Sequence, residues 1–575
     1  MSKVKNIIAI LVSCLLFGMI IFWLSTKNLW SENLVANIFS LIFLVATIVL
    51  IFLSSKDKWK FNFNFLENRK YEILAISLIL LFAILIRAVN LSNIPDGMMG
   101  DEWSMLYESW SIAHYGIDRN GNSLPVYLVA WGSGQNALLT YLTIPFVLIF
   151  GMTPFSARIV MMISSVVTVI MGYLLTKELT DKKTALIVMI CLAFMPWNFM
   201  LGRWGLESNL LPCLLTCGVY FLVKSLKGNS WWFVLANLFF GLSLYSYALD
   251  FVFLPLFLIS IYVVLFIKKK IEWKSFIVGN VLLFILAFPL ILFVLVNYTS
   301  LPEFKLFNIF TVPKLAGLRP GANGSFSFIE NIKNFIRFFL FQNDWLPWND
   351  ISPFGYSFFI SIPFLIIGMI NMFINIKKDY INNNFRLLMT IWLICGLLSC
   401  FIMSSSSLNH FNMLMVPYFY SLANGIVVSS NNSRVFYSSI LCMYSVLFTM
   451  FSCIYFSDNR QAMLHDMYSQ DLYEATIFAE SIKHEQDTII VDDGGYMITL
   501  CANKMSPIEF SESVVWVGTG IRGVSEYKGY KFTNEYLGDD GYVYILKKDS
   551  NAINDVNNLS HKEFGKYSVY YAMES

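Results

Sequence analysis

Stretches of about twenty apolar residues, the length a helix needs to cross a bilayer, recur along most of this chain. They fall at 5–25, 34–54, 71–90, 154–177, 183–200, 208–225, 230–248, 251–267, 275–297, 354–376, 386–404, 411–430 and 434–456. A backbone in lipid must satisfy its own N–H and C=O groups, so such stretches fold as helices. The spacing predicts an all-α polytopic membrane protein of about thirteen spans. Composition agrees: 57% of the 575 residues are apolar and only 14% are charged, against about 25% charged in soluble proteins. That balance excludes a disordered, collagen-like or coiled-coil chain and a basic nucleic-acid binder. The first stretch is too long, and lacks the small-residue cleavage site, to be a cleaved signal peptide.

One further apolar run, 136–151 (NALLTYLTIPFVLIFG), is decided by charge. If it crosses, Lys177, Lys182 and Lys183 fall on the opposite side from Lys56, Lys58, Lys60, Arg69 and Lys70. If it lies along the interface, every short basic loop falls on one side: 55–70, 177–183, 224–229, 268–274, 377–386 and 431–434. Short cytoplasmic loops carry the Lys and Arg excess, so 136–151 reads as a juxtamembrane helix on the outer surface. The loops 91–153, 201–207 and 298–353 and the tail from 457 are then outside, in the cytoplasmic membrane of a cell. Three parts follow: 1–70, two leading spans and a basic cytoplasmic loop; 71–456, the membrane domain; and 457–575, a small α/β extracytoplasmic domain. The tail is polar, with strand-like Thr488–Val491 and Tyr542–Leu546 behind helix-like 471–484.

Nine cysteines are scattered, eight of them in apolar segments where the thiol behaves as a small hydrophobe. None has zinc-site spacing, and Cys501 stands alone in the tail, so no internal disulfide is expected there.

Chemistry gathers on the outer face. The first loop holds Ile94-Pro95-Asp96-Gly97-Met98-Met99-Gly100-Asp101-Glu102-Trp103. Asp101 either caps the helix starting near Trp103 or serves as a base at the membrane face, and a helix start can do both. The second turn contains Arg203 and Glu207, four apart, which on a helix share one face and can pair. Ionisable groups at membrane depth are costly and usually face a cavity or a partner. The third signal is Leu408-Asn409-His410-Phe411-Asn412 at the outer start of a span. His410 is either a satisfied structural group or a donor to a phosphate at the interface. Asp250 is another outer-face carboxylate. The Gly-rich run Leu318-Arg319-Pro320-Gly321-Ala322-Asn323-Gly324-Ser325 reads as a lid carrying one cation.

In this order, on one membrane face, these pieces resemble the bacterial glycosyltransferase family 39, within the glycosyltransferase C superfamily. Its better-known relatives are protein O-mannosyltransferases and the lipid A aminoarabinose transferase. The resemblance runs from about residue 71 to 456. It rests on Asp101-Glu102, the helix ending Phe150-Gly151, Arg158 opening the next span, and Arg203-x-x-x-Glu207.

The resemblance implies the glycosyltransferase C fold and a polyprenyl-phosphate sugar donor. Transfer occurs outside the cytoplasmic membrane, with inversion, to a lipid, glycan or protein acceptor. It maps the catalytic base onto Asp101 and the second acidic position onto Glu207, where relatives more often carry Asp. Gln135 stands where the lipid A branch carries Lys. A phosphate leaving group needs charge neutralisation rather than a protonating acid, and one carboxylate suffices as base. The expected catalytic set is therefore Asp101, Glu102 and Glu207. Arg203, His410, Asn412, Gln135, Arg158 and Arg319 are expected to bind substrate. No cofactor is required, while a divalent metal is compatible with Asp101, Glu102 and Glu207.

Two other classes compete. A transporter or flippase is also polytopic, but would show paired inverted halves and broken helices at the midplane. A membrane scaffold would use the tail for recognition and tolerate loss of Asp101. The tail itself is expected to hold no catalytic residue and to be separable from donor turnover.

Overall fold

The computed structural model describes residues 63–317, 328–344, 346–402, 407–430, 433–518 and 522–572. The spans expected at 5–25 and 34–54, Lys56, Lys58 and Lys60 of the 55–70 loop, and the Gly-rich run with Arg319 lie outside the described residues.

The membrane part is a stack of helices: α1 (Arg69–Ala88), α2 (Gly100–Tyr115), α3 (Leu138–Phe150), α4 (Pro154–Leu179), α5 (Lys182–Phe194), α6 (Pro196–Leu201), α7 (Leu211–Lys227) and α8 (Trp232–Leu244). It continues through α9 (Asp250–Ile267), α10 (Trp273–Tyr298), α11 (Phe328–Phe341), α12 (Ile362–Ile381), α13 (Leu387–Ile402), α14 (Met415–Ser430) and α15 (Arg434–Tyr455). Among the described residues, eight helical segments are long and apolar enough to cross a bilayer: α1, α4, α9, α10 and α15, and α7, α12 and α14 with their leading 3-10 turns.

Three expected spans come out shorter. The run 183–200 is broken between α5 and α6, where Met195 turns to ψ 145° ahead of Pro196, because proline pushes its predecessor out of the helical region. α8 and α13 are apolar but short. α3 has only thirteen residues, or about 20 Å at 1.5 Å per residue, against a hydrocarbon core of about 30 Å. Its length agrees with the interfacial reading of 136–151.

The basic loops meet at one end of the stack. Lys177 and Lys182 both pair with Glu72 at the start of α1, and Lys224 and Lys227 pair with Glu178. Lys227 and Lys270 lie over the Phe385 ring, and Lys268 over Tyr380. The helices between are close-packed where glycine permits it. A Cβ on Gly368 of α12 would stand 1.7 Å from the Ser421 carbonyl oxygen of α14, and one on Gly425 equally close to that of Phe364. Small residues at such a crossing let two backbones touch. α10 turns Ile277, Phe284 and Ile285 outward, as a lipid-facing helix does.

At the opposite end sits the tail, with α16 (Asp458–Met467), α17 (Gln470–Ile482), α18 (Tyr496–Asn503) and α19 (Pro507–Ser513) around a seven-stranded mixed sheet. Its central strand Thr488–Val491 runs parallel to both Tyr542–Lys547 and Tyr530–Phe532. The strands and the helix expected from sequence are therefore present.

The tail is not set apart from the membrane part in packing. α17 and α18 share one apolar core with α2, in which Trp103, Leu106 and Tyr107 meet Leu472, Ala475, Met497 and Cys501. Trp103 stacks on Tyr473 at 4.9 Å, and the Tyr107 hydroxyl donates to the Met505 carbonyl at 2.8 Å. Cys501, expected in a polar setting, is buried there.

Candidate functional site

The chain from Leu91 to Met99 loops out of α1 and re-enters as α2, whose first turn carries Asp101 and Glu102. The two neighbours have different surroundings. Glu102 is 1% exposed. Its carboxylate accepts from the Met99 N–H at 3.2 Å, the Gly205 N–H at 2.9 Å and the Arg158 Nε at 3.2 Å. Glu102 is thus a strut joining the head of α2 to α4 and to the second outer turn. Asp101 is half-buried beside it, in the first helical turn, where the helix dipole favours a carboxylate.

Arg158 is also a strut. Its remaining donors reach the carbonyls of Leu91, Pro95 and Gly97 at 3.2, 2.9 and 2.5 Å. Gly205 is required where it stands, since a Cβ would lie 2.6 Å from the Ala157 carbonyl oxygen.

The expectation that Arg203 and Glu207 share a helix face is corrected. α6 ends at Leu201, and a 3-10 turn begins only at Glu207, so the two lie on either side of an irregular turn. Arg203 is fully buried. Its guanidinium donates to the carbonyls of Arg87, Val89 and Ile94 at 2.5, 2.9 and 2.7 Å and to the Tyr455 hydroxyl at 3.3 Å. With those donors committed to the end of α1, Arg203 fastens the loop and is not presented to a phosphate. Asn412 is similarly committed. It accepts from Trp197 Nε1 at 2.9 Å and donates to the Ser208 carbonyl and the Asn209 side chain at 3.2 and 3.0 Å, tying the third motif to the second. His410, two residues earlier, is half-buried with its ring 6.0 Å from that of Tyr247.

Glu207 belongs to a chain of side chains that sequence reasoning caught only in part. The Gln135 amide donates to Glu207 Oε2 at 3.2 Å, and Gln135 Oε1 accepts from the Ser104 hydroxyl at 3.2 Å. Ser104 in turn accepts from Arg119 Nη2 at 2.8 Å, and Arg119 Nε pairs with Glu108 at 3.0 Å. Asp101, Ser104 and Glu108 are spaced i, i+3, i+7, one face of α2, so this line runs down the helix directly below Asp101. That polar stripe, together with the turn Asp118-Arg119-Asn120-Gly121-Asn122, was the signal in the sequence for Ser104, Glu108 and Arg119. Both acids here are fully buried. Burial pushes Glu108 up to about 8 against the pull of Arg119, and pushes Asp118 upward too. Arg119 itself lies 5.5 Å from the Trp131 ring and 5.9 Å from that of Tyr496, and touches Met497, both in the tail.

Asp101, Glu102 and Glu207 do not make a metal donor set. The Glu102 oxygens already serve Arg158 and two N–H groups, and no group of three or more His, Cys, Asp or Glu among the described residues is placed to hold an ion. Beneath the 408–414 turn, Trp197, Phe335, Phe338, Tyr356, Leu408 and Phe411 line a narrow apolar crevice.

Residues 136–293 match the family described as dolichyl-phosphate-mannose-protein mannosyltransferase. No curated protein matches the chain by sequence. Among solved structures it is similar to ArnT from Cupriavidus metallidurans bound to undecaprenyl phosphate, at a TM-score of 0.54 and 12% identity, over 86% of this chain and 97% of that one. The apo state of the same protein gives 0.53 and 13% over the same shares. The resemblance read from the motifs therefore stands: this is a multi-pass membrane protein with the glycosyltransferase C fold and a C-terminal sheet domain.

Proposed function

We propose that this chain is an inverting glycosyltransferase that moves a sugar from a polyprenyl phosphate to a hydroxyl group on the outer face of the cytoplasmic membrane. The observation that carries the reading is the division of labour at the head of α2. Glu102, Arg158 and Arg203 are buried struts, and Asp101 stands half-buried at the head of the helix face that leads down to the Ser104–Gln135–Glu207 line. The fold shared with a protein solved with undecaprenyl phosphate supports a lipid-linked donor, and the family match over 136–293 supports a phosphate-linked sugar. The clustering of Lys177, Lys182, Lys224 and Lys227 at the far end supports a cytoplasmic assignment for that end, and with it the reading of Asp101 as outside.

Asp101 takes the proton of the acceptor hydroxyl as its oxygen bonds to the anomeric carbon. The bond from that carbon to the phosphate oxygen breaks on the opposite face, and polyprenyl phosphate leaves with the electron pair. A base poised in this way contributes about 10²–10⁴ in rate. His410 is the candidate donor to the departing phosphate, with Gln135 and Glu207 shaping the wall between. The exposed apolar residues Ile329, Ile336 and Phe341 of α11 suit the isoprenoid chain. No step requires a metal.

The test is transfer by the purified full-length protein from a panel of radiolabelled polyprenyl-phosphate sugars. Release of polyprenyl phosphate with formation of an inverted glycoside is expected. Failure with every donor in lipid nanodiscs, by well-folded protein, would refute the reading.

A further inference from the structure

A polar concavity lies beside the candidate active site. It holds about 340 Å³ between the turn after α2, the segment leading out of the hairpin Phe304–Leu306 and Phe310–Val312, and the edge of the C-terminal sheet. Asn120, Asn122, Gly132, Glu303, Trp516 and Arg522 are among the residues lining it. Three parts of the chain, hundreds of residues apart, build one cleft, and each contributes a hydrogen-bonding or aromatic group.

Its groups are fixed. The Asn120 and Asn122 amide nitrogens donate to the Val129 carbonyl and to Asp118 at 2.9 and 3.1 Å, which turns each side-chain oxygen into an oriented acceptor. The Arg522 N–H donates to the Trp131 carbonyl at 2.7 Å, holding the cationic side chain at the cleft wall. Trp516 packs edge-on against Tyr496 and Phe510, with ring centroids 5.9 and 6.1 Å away. Lys314, also in the lining, already donates to the Thr299 and Leu301 carbonyls at 2.8 and 3.3 Å, so the cleft is not a strong anion trap.

Oriented acceptors, one cationic donor, one carboxylate and one indole are what a ring bearing many hydroxyls and an apolar C–H face asks for. Such a lining is too polar for a lipid tail. The location completes the argument. Strand Ser133–Gln135 follows Gly132 out of the cleft and ends at the residue that holds Glu207. Three residues of strand span about 10 Å, the reach of one or two sugar rings.

We infer that this cleft is an acceptor subsite for a glycan, holding sugar units behind the one whose hydroxyl is glycosylated. The inference rests on the glycosyltransferase reading and narrows the acceptor from lipid, glycan or protein to glycan.

Two measurements on the full chain test it separately from that reading. In the first, saturation-transfer NMR with N-acetylchitotetraose and cellotetraose reports binding without any turnover. Wild type should bind at least one of the two, and Trp516→Phe and Arg522→Gln, both mild enough to keep the fold, should weaken it by about tenfold, the scale of one charged hydrogen bond. In the second, the variants should raise KM for an oligosaccharide acceptor by a similar factor, with kcat and donor hydrolysis within about twofold. If wild type transfers from no donor yet binds the tetrasaccharides at this cleft, the catalytic reading fails and the glycan site survives. Transfer by wild type to a peptide or simple lipid, with unchanged KM in both variants and no tetrasaccharide binding, would overturn the inference.

Discussion

The Gly205 N–H donates to the Glu102 carboxylate at 2.9 Å, so the second outer turn is fastened to the residue immediately behind Asp101. Two adjacent acids at one helix start thereby differ in setting: Glu102 is buried among its partners, and Asp101 stands half-buried beside it.

Their substitutions should therefore diverge. Asp101→Asn is expected to lower kcat by about 10²–10⁴ with the melting temperature nearly unchanged. Glu102→Gln leaves Arg158 buried without its counter-charge, and breaking such a pair costs about 3–5 kcal/mol. It should lower thermal stability while the folded fraction keeps a larger share of its activity. Differential scanning fluorimetry beside initial-rate measurements distinguishes the two, and near-normal transfer by a well-inserted Asp101→Asn protein would remove it as the base.

Arg119→Lys tests the line under Asp101. Lysine cannot keep Glu108 and Ser104 together from one planar head group. A loss of about 2–4 kcal/mol in stability is expected, together with a shifted pH profile of kcat. Gln135→Glu places a second carboxylate against Glu207 and should slow transfer below neutral pH less than above it. An unchanged profile in both variants would separate the line from catalysis.

His465 joins the first loop to the tail, with Nδ1 3.0 Å from Asp96 and Nε2 2.6 Å from Asp471. Partial burial works to lower its pKa, but hydrogen bonds to the two carboxylates outweigh this and raise it above the ordinary 6.5. The folded protein thus holds the proton more tightly than the unfolded chain. The contribution is complete below about pH 6.5 and is lost as pH rises through the folded value. Thermal unfolding from pH 6 to 9 should show wild type losing stability relative to His465→Gln. Parallel curves would dismiss the joint as a titrating element.

Deleting 457–575 should abolish transfer and destabilise the rest, because Trp103, Leu106 and Tyr107 would lose half their core. Leu472→Ala is the gentler version, expected to cost about 2–5 kcal/mol and to reduce activity through a loosened α2. A folded, active truncation would restore the tail as an independent unit.

Orientation is checked by a single cysteine at Gly494, where an added Cβ meets nothing within 4 Å. In intact cells it should react with an impermeant maleimide, and a cysteine beside Lys182 should not. Labelling at Lys182 would invert the topology.

The spans were legible because a bilayer asks for length and apolarity and little else. That same indifference hid the break at Pro196, since 183–200 stays apolar through it. The interfacial reading of 136–151 came from charge, because lysine placement records the side of the membrane, and the thirteen residues of α3 are compatible with it. Within the site, the resemblance put Asp101 ahead of Glu102, but the residues alone could not show what surrounds either. The partners that close Glu102 are 56 and 103 residues away, and only the fold brings them in. Arg203 was misread for a related reason. A buried guanidinium must have partners, but the sequence shows side chains, and its partners are mostly main-chain carbonyls. The tail's shared core was hidden because the apolar face of α17 looks the same whether it covers its own sheet or another domain.

The Arg203 clamp has one more consequence. A fastening that grips carbonyl oxygens is blind to the side chains of the residues it grips. Arg87 aside, whose own side chain is buried in another network, and Ile94, which packs against the core, the exposed Val89 is free to drift with its surroundings. That position can change its chemical character over generations without the loop behind Asp101 losing its place.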